Sequence, residues 1–408
     1  MEEVTLELET VTPLFIAGAD QRNIENEGLR APSLRGLLRW WFRTLAGNYV
    51  GNDVESLKKA EDKIFGYTNS KSKVSLITCG ENKHVQIKKE YRSWKESTVW
   101  SDYVDYFLFS CLDKRKDRKT GRIKVNSIPF YPAKSKFNVT ILGREDELKV
   151  YLASLWALIH LGSVGFRARR GGGCLKVKNV KGNTFGLNFT CKDPNKLEQF
   201  LKNNIETVLS LVGRLFKNKP YANFASLPEY AVLNQFHSAL FVKKVNEKDW
   251  KSALNEIGKW YIGQKIGRKF TGGFRMRLAD YNFSHKIRDA DRDENIESNK
   301  ERRPYLGLPI TYATYKATLK EKNFDRRASQ LIFGVYEISG NYIPRILIFK
   351  SMFLPYFSRN FMIEKKIRHD REIKITLWAQ LPANEQLIKD CYEDLSKNRW
   401  QIIWGSIK

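Results

Sequence analysis

The sequence predicts an α+β chain built as tandem ferredoxin-like (RRM-like) domains with inserted loops. Three observations lead there. Up to residue 180 the elements run strand, helix, strand, strand, helix, strand, which is the ferredoxin-like order. The second half offers a weaker version of the same order. The chain has 408 residues, and at roughly 100–200 residues per domain that length suggests two domains.

In the first half, Val4, Leu6 and Leu8 alternate with Thr5, Glu7 and Glu9, the period of a half-buried strand. It ends near Thr12 and Pro13 and hands over to a loop holding Gly18, Ala19 and Asp20. Pro32 and Ser33 mark a helix start with Ser33 as N-cap; the helix runs over 34–46, and Gly47 closes it. Strands are expected at 74–78 and 137–142. Between them, in an insertion near 80–130, the stretch DKRKDRKTGRIK (113–124) reads as a strongly basic loop. A helix at 145–161, a glycine-rich turn and a strand at 174–180 complete the unit.

In the second half, 195–216 reads as helical, 229–242 holds a strand, and 248–266 is an amphipathic helix. Strands are expected at 330–336, 345–350 and 373–381. A helix at 384–397 then leads into a short strand at 400–404. Residues 284–303 are highly charged and lack aromatics, so they are expected to form a mobile loop. The expected domains are 1–190 and 191–408, with the boundary near 185–195.

Composition narrows the function. Lys and Arg number 71 against 45 Asp and Glu, a formal net charge of +26, while 42% hydrophobic residues suffice for packed cores. A folded protein with that excess of cations repels itself unless an anionic partner answers it, and nucleic acid is the commonest such partner. The five cysteines (Cys79, Cys111, Cys174, Cys191, Cys391) are scattered and form no C-x-x-C pair. That pattern argues against a disulfide framework and a structural zinc site. The histidines are equally dispersed, so no metal and no cofactor are expected. The acidic start at Met1, Glu2 and Glu3 reads as no secretory signal. The longest uncharged run, 150–166, is shorter than a bilayer span. A cytoplasmic protein with no membrane partner is expected.

Two constellations point to phosphate. In LRGLLRWWFRTL (34–45), Leu34, Leu38, Trp41 and Leu45 share a core-facing side. Arg35, Arg39 and Arg43 form a separate stripe at i, i+4 and i+8. Guanidiniums lined up without paired carboxylates repel one another until an anion bridges them, and their forked donors match phosphate oxygens. The alternative is a solvated basic face. In GSVGFRARRGGG (162–173), Arg167, Arg169 and Arg170 stand directly before Gly171, Gly172 and Gly173. Backbone amides that approach closely, together with guanidiniums, would cradle phosphates. The alternative is a flexible turn with incidental arginines. The stretch is neither a P-loop nor a dinucleotide fingerprint. Arg302, Arg303, Arg326 and Arg327 are further basic spots that could line the same groove.

The search for a catalytic set finds little. His160 beside the glycine loop is the best acid–base candidate, and its ordinary reading is a hydrogen-bonded helix-end histidine. Asp20 is a lone carboxylate whose ordinary reading is turn chemistry.

With these residues on view, the opening TPLFIAGAD (12–20) and LRAPSLRGLLRWWFR (29–43) resemble the start of the first-named subunits of the type III-B CRISPR Cmr complex, in the RAMP superfamily. GFRARRGGG (165–173) resembles the glycine-rich loop of RAMP proteins. LGLPI (306–310) with Arg327, Ala328 and Ser329 is similar to the C-terminal half of those subunits. The resemblance implies paired ferredoxin-like domains with a basic groove. It also implies a ribonucleoprotein subunit that holds the 3′ part of the guide RNA, helps capture single-stranded target RNA, binds other Cmr RAMP subunits and does not cut. The RNA-binding set is then Arg35, Arg39, Arg43, Arg167, Arg169, Arg170, Gly171, Gly172, Gly173, Arg326 and Arg327. Two alternatives stay open: a RAMP-type endoribonuclease using His160 or Asp20, and a protein scaffold whose exposed Trp40, Trp94 and Trp100 bind neighbours while the charge is incidental.

Overall fold

The computed structural model describes residues 1–17, 28–80, 83–217, 221, 222, 224, 227–262, 276–290, 295–297, 306–312, 315–324, 326–352, 361–368, 372–380 and 386–407. The first unit comprises β1 (Glu2–Thr10), α1 (Ala31–Val50), α2 (Val54–Phe65) and β2 (Ser75–Gly80), followed by an inserted group. That group is β3 (Lys88–Tyr91), α3 (Asp102–Phe107), β4 (Leu112–Lys116) and β5 (Ile123–Ser127). The unit closes with β6 (Lys136–Gly143), α4 (Glu145–Leu161) and β7 (Leu175–Lys181). Its main sheet runs β2-β6-β1-β7 with antiparallel neighbours. Counted along the unit, this is 2-3-1-4, the ferredoxin-like arrangement.

Local chemistry departs from expectation at three points here. Helix α1 starts at Ala31 with Pro32 in its first turn, and Ser33 is not its cap. It also runs through Gly47 to Val50 and is closed by Gly51 at φ 61°. Gly47 is glycine because a Cβ there would lie 2.8 Å from Val232 Cγ2, where a later stretch of the chain crosses the helix. Finally, the basic stretch 113–124 is not a loop but most of a hairpin. Ile123, Val125 and Ser127 of β5 alternate inward, and the turn is tied by the Asp117 carboxylate, which accepts from the amides of Lys119 and Thr120.

Helix α5 (Leu197–Gly213) follows. The second unit contains β8 (His237–Lys243), α6 (Trp250–Ile262), α7 (Met276–Asp289), β9 (Asn295–Glu297), β10 (Ile310–Tyr312), β11 (Ala317–Glu321), β12 (Leu331–Ile338), β13 (Asn341–Phe349), β14 (Phe361–Arg368), β15 (Glu372–Gln380), α8 (Gln386–Lys397) and β16 (Trp400–Ile407). Its main sheet runs β12-β13-β8-β16. With β8, β12, β13 and β16 taken as strands one to four, the order is again 2-3-1-4, so the ferredoxin-like unit occurs twice. The remaining strands form a sheet β10-β11-β14-β15-β9, assembled from two insertions into this unit.

The stretch 284–303, expected to be a mobile loop, is partly ordered. Residues 284–289 close α7, and β9 pairs in parallel with β15. Ile287 and Ile296 are buried with Phe283 in the small core under the accessory sheet. Few apolar residues suffice because each falls at an inward position. Residues 291–294 and 298–303 lie outside the described residues.

The two units stack through the face of the second sheet. Along β8, β12 and β13 the side chains alternate strictly. Leu240, Val242, Ile332, Tyr336, Ile338, Ile343, Leu347 and Phe349 pack in one core with α1, α4, α5 and the first sheet. Ala239, Phe241, Leu331, Phe333, Val335, Ile346 and Ile348 pack in the other core with α6 and α8. A sheet covered on both faces reads as continuous apolar strands.

One charge is buried in this seam. Arg345 on β13 is 1% exposed. Its Nη1 donates to the Leu161 carbonyl at 2.6 Å and its Nη2 to the Gly162 carbonyl, closing the C-terminal end of α4. Removing the guanidinium in Arg345→Ala leaves a cavity and two carbonyls stripped of their donor. The variant is expected to lose about 3–5 kcal/mol of stability, read from urea unfolding of the full chain. An unchanged midpoint would show that this contact does not hold the units together.

Candidate nucleic-acid interface

Helix α1 carries its arginine stripe as spaced, but the stripe is not without a carboxylate. Glu61 on α2 lies between two of its members: Arg39 Nη1 is 3.0 Å from Oε1 and Arg43 Nη1 is 2.8 Å from Oε2. Arg39 also donates to the carbonyls of Phe65 and Gly66, capping the end of α2. The expectation of unpaired guanidiniums is therefore corrected. The missing term was α2 itself, signalled by Leu57, Glu61, Ile64 and Phe65 at helical spacing before Gly66. Two guanidiniums share this one carboxylate, and Arg43 remains 40% exposed at its side chain. Arg35 lies near the phenol of Tyr151, which burial pushes above its ordinary range against the opposing pull of Arg35 and Arg39.

The glycine-rich loop begins where α4 ends and crosses the seam. The amides of Gly172 and Gly173 are engaged within the protein, which narrows the cradle expected from the three glycines. The Phe166 amide donates to Phe15 O, Arg170 and Gly172 donate to Arg167 O, and Gly173 donates to Pro13 O. The glycines have a packing reason. Gly171 and Gly173 sit at φ 86° and 64°. A Cβ at Gly171 would lie 2.4 Å from Leu254, and one at Gly173 would lie 1.9 Å from Val164 O. The backbone oxygen excludes any side chain at Gly173, while at Gly171 the positive φ disfavours one and Leu254 would have to shift.

The three arginines of the loop reach outward from this frame. Arg167 Nε donates to Phe107 O at 2.6 Å, and its guanidinium lies 4.8 Å from the centre of the Phe109 ring. Arg169 Nη1 donates to Ser329 O at 2.6 Å and stacks 4.7 Å over Trp40. Arg170 Nη2 donates to Leu306 O at 3.2 Å and lies between Tyr261 and Phe333, at 4.9 and 5.1 Å. Among the described residues no carboxylate pairs with any of the three, and the buried Nη1 of Arg170 has no hydrogen-bond partner. Burial, together with the charge of Arg170, pulls the Arg167 guanidinium down to about 10. Burial, with Arg327 and Arg170, does the same to Arg169. Both stay protonated at neutral pH, so the cluster is a concentration of positive charge.

The remaining predicted residues fall around this cluster or away from it. Arg327 joins it and donates to Met352 O at 2.7 Å, while Arg326 is exposed. Arg302, Arg303 and Asp20 lie outside the described residues. His160 is 7% exposed, with its ring against Trp156 and Phe200 and its Nε2 without a partner. Burial and the charge of Arg345 hold it down to about 3. Its burial and depressed pKa argue against an acid–base role for His160, whose only described approach is the small cleft it lines with Lys176, Phe189 and Tyr336. Of the three tryptophans expected to be exposed, Trp94 is; Trp40 lies under Arg169, and Trp100 packs against Phe15 and Phe130. Among the described residues no cluster could hold a metal ion, and no helix is long and apolar enough to cross a membrane. The rings of Trp40, Phe109, Tyr261 and Phe333 were not legible as partners of the arginines, since all are distant in sequence.

Comparison with known proteins adds relatives to this geometry. The RAMP superfamily pattern matches residues 7–176. The CRISPR system Cmr subunit Cmr1-2 of Pyrococcus furiosus is 45% identical over 186 residues, which is 44% of this chain and 98% of that protein. The CRISPR system Cmr subunit Cmr1-1 of the same organism is 30% identical over 353 residues, 86% of this chain and 88% of the relative. The crystal structure of Cmr1 from Pyrococcus furiosus in its apo form superposes with a TM-score of 0.60 at 25% identity, covering 99% of both chains.

The burial of His160 has a consequence for stability. Its pKa is lower folded than unfolded, so its contribution is fully present above about pH 6.5 and is lost as pH falls toward about 3. Across that window the wild-type chain should lose up to about 1.4 kcal/mol per pH unit more than His160→Gln does. Urea midpoints at pH 7, 6, 5 and 4 measure this. Parallel declines in the two proteins would mean that His160 is protonated in the folded state.

Proposed function

The chain belongs to the RAMP superfamily, as one of its Cmr1 proteins, and from that premise we propose that it is a non-catalytic, RNA-gripping subunit of a type III-B CRISPR ribonucleoprotein. It holds the 3′ part of a guide RNA, helps capture single-stranded target RNA and binds other Cmr subunits.

The observation that carries this reading is the guanidinium cluster of Arg167, Arg169, Arg170 and Arg327. Burial first, then the charge of Arg170, lowers the pKa of Arg167, and burial with Arg327 and Arg170 lowers that of Arg169; the contacts of Arg167, Arg169 and Arg170 run to carbonyls and aromatic rings. Carbonyls satisfy donors but cancel no charge, so the cluster favours an anion, and phosphate oxygens match its forked donors. Trp40 links it to α1, because the ring under Arg169 is the neighbour of Arg39. Contacts of this kind position a strand without reading its bases. That suits a complex in which pairing with a guide supplies the sequence information.

The absence of cutting rests on the side chains at hand. His160 is buried and neutral, and among the described residues no carboxylate pairs with Arg167, Arg169 or Arg170. The full chain is therefore expected to leave labelled RNA intact with or without a divalent cation.

Binding of single-stranded RNA by the purified chain tests the reading. With six phosphate contacts the affinity should fall with log salt at a slope near −4, from about −0.7 per contact. Arg35→Ala/Arg39→Ala/Arg43→Ala, and separately Arg326→Glu, should weaken binding and flatten that slope, with the fold intact by circular dichroism. A slope near zero, alongside firm binding to another Cmr subunit, would favour the scaffold reading instead.

A further inference from the structure

The inserted group between β2 and β6 is left without a role by the arginine cluster, yet it touches that cluster. Phe109, which follows α3, is the ring on which Arg167 stands. Phe109 also lines a cleft of about 660 Å³, together with Trp94, Tyr106, Asp102, Asp105 and Asp113. From the cleft and its surroundings we infer that it is a nucleobase-stacking subsite, which takes the bases of single-stranded RNA whose phosphates run past Arg167. The inference rests on the RNA-binding reading above and extends it to a second surface.

Three features of the cleft support it. Trp94 is 55% exposed, Phe109 57% and Tyr106 39%. One exposed aromatic is ordinary on a protein surface, but three lining a single cleft form an exposed apolar patch. The patch is flanked by cations. On one side is Arg167; on the other, β4 leads from the cleft wall into the hairpin turn, where Lys116, Arg118 and Lys119 are exposed with no ion pair described for their side chains. An apolar protein segment would gain nothing from that flanking charge. A polyanion with flat apolar side groups matches both parts, and base–aromatic stacking between backbone contacts is how single strands are held without regard to sequence.

The third feature fixes which part of the RNA enters. The cleft carries carboxylates. Asp105 accepts from the Val99 and Trp100 amides and from Lys114. Asp113 accepts from Arg115, and Asp102 accepts from Thr98 Oγ1. They are held in place, but they still repel phosphate, so the backbone stays on the cationic rim and the bases turn inward onto the rings. Ser97 keeps Trp94 at the mouth, with both its amide and its hydroxyl donating to Trp94 O, at 3.2 and 2.8 Å.

The test uses the full chain and a single-stranded RNA carrying 2-aminopurine at successive positions, with base fluorescence as the readout of stacking. Wild type should quench at least one position. Trp94→Leu/Tyr106→Leu/Phe109→Leu should lose that quenching and on the order of tenfold or more in affinity. Trp94→Phe/Tyr106→Phe/Phe109→Tyr, which retains the rings, should keep both. Trp94→Leu/Tyr106→Leu leaves the Arg167 platform in place and should show a partial loss. If the triple leucine variant quenches and binds as wild type while Arg326→Glu weakens binding, the subsite is refuted and the arginine reading stands. If neither variant alters binding, both are refuted. Normal RNA binding by the leucine variant, with loss of association to another Cmr subunit, would make the cleft a protein-docking surface and overturn the inference.

Discussion

The architecture depends on a guanidinium buried without a carboxylate. Arg345 projects from β13 across the face of the second sheet to the last carbonyls of α4 in the first unit. Isolated, such a charge would be costly to desolvate. Here the negative end of the helix dipole and two carbonyl oxygens meet it, which is where a cation is most favourably placed on a helix. Tyr336 adds to the arrangement: its hydroxyl donates to His160 O at 2.8 Å, and its ring lies under the Arg345 guanidinium. The sheet makes room by leaving Gly334 opposite Arg345. A Cβ at that position would lie 2.6 Å from the guanidinium carbon. One helix end of the first unit is thus finished by side chains of the second, and the units close on each other as a consequence.

That closure determines where the glycine-rich loop can go. It leaves α4 at Gly162, which Trp41 covers so closely that a Cβ would lie 2.8 Å from its ring. The loop is then pinned by its own amides and by contacts with the second unit. The Phe333 amide donates to Arg169 O at 3.2 Å, so the backbone that carries the arginines is continuous with the edge of the second sheet. The guanidiniums are presented by a rigid frame. For phosphate binding this matters more than their number, since little side-chain and backbone freedom is left to lose when an anion arrives.

The fold was legible because its signals are local. The strand pattern at Val4, Leu6 and Leu8, the helix at 145–161 with its uncharged run from Val150, and the final helix and strand all depend on near neighbours in sequence. What escaped reading was long-range or masked by composition. Helix α2 looks like a charged linker because Lys58, Lys59 and Lys63 lie between its buried Leu57, Glu61 and Ile64. The hairpin at 113–124 hides its inward Ile123 and Val125 among cations. Within 284–303, Asn295–Glu297 carries a single apolar residue, Ile296, and only its pairing with a strand of a later insertion marks it as a strand. In the candidate site the arginines were legible and their partners were not. Glu61 is 18 residues from Arg43, and Leu306 and Ser329 are 136 and 160 residues from the arginines they accept from.

Those partners raise the question of whether arginines that hold the seam can also hold RNA. A guanidinium has five N–H donors. Arg167, Arg169 and Arg170 each have one hydrogen bond described. The rings beneath them engage the flat face of the guanidinium and leave its edge free to donate. Structural anchoring through one donor and ligand binding through the others are therefore compatible on the same side chain. Anchoring also keeps the like charges together against their mutual repulsion. The glycines contribute indirectly: by admitting Leu254 and Val164 O against bare backbone, they hold the three guanidiniums at spacings that extended side chains on a flexible turn would not maintain.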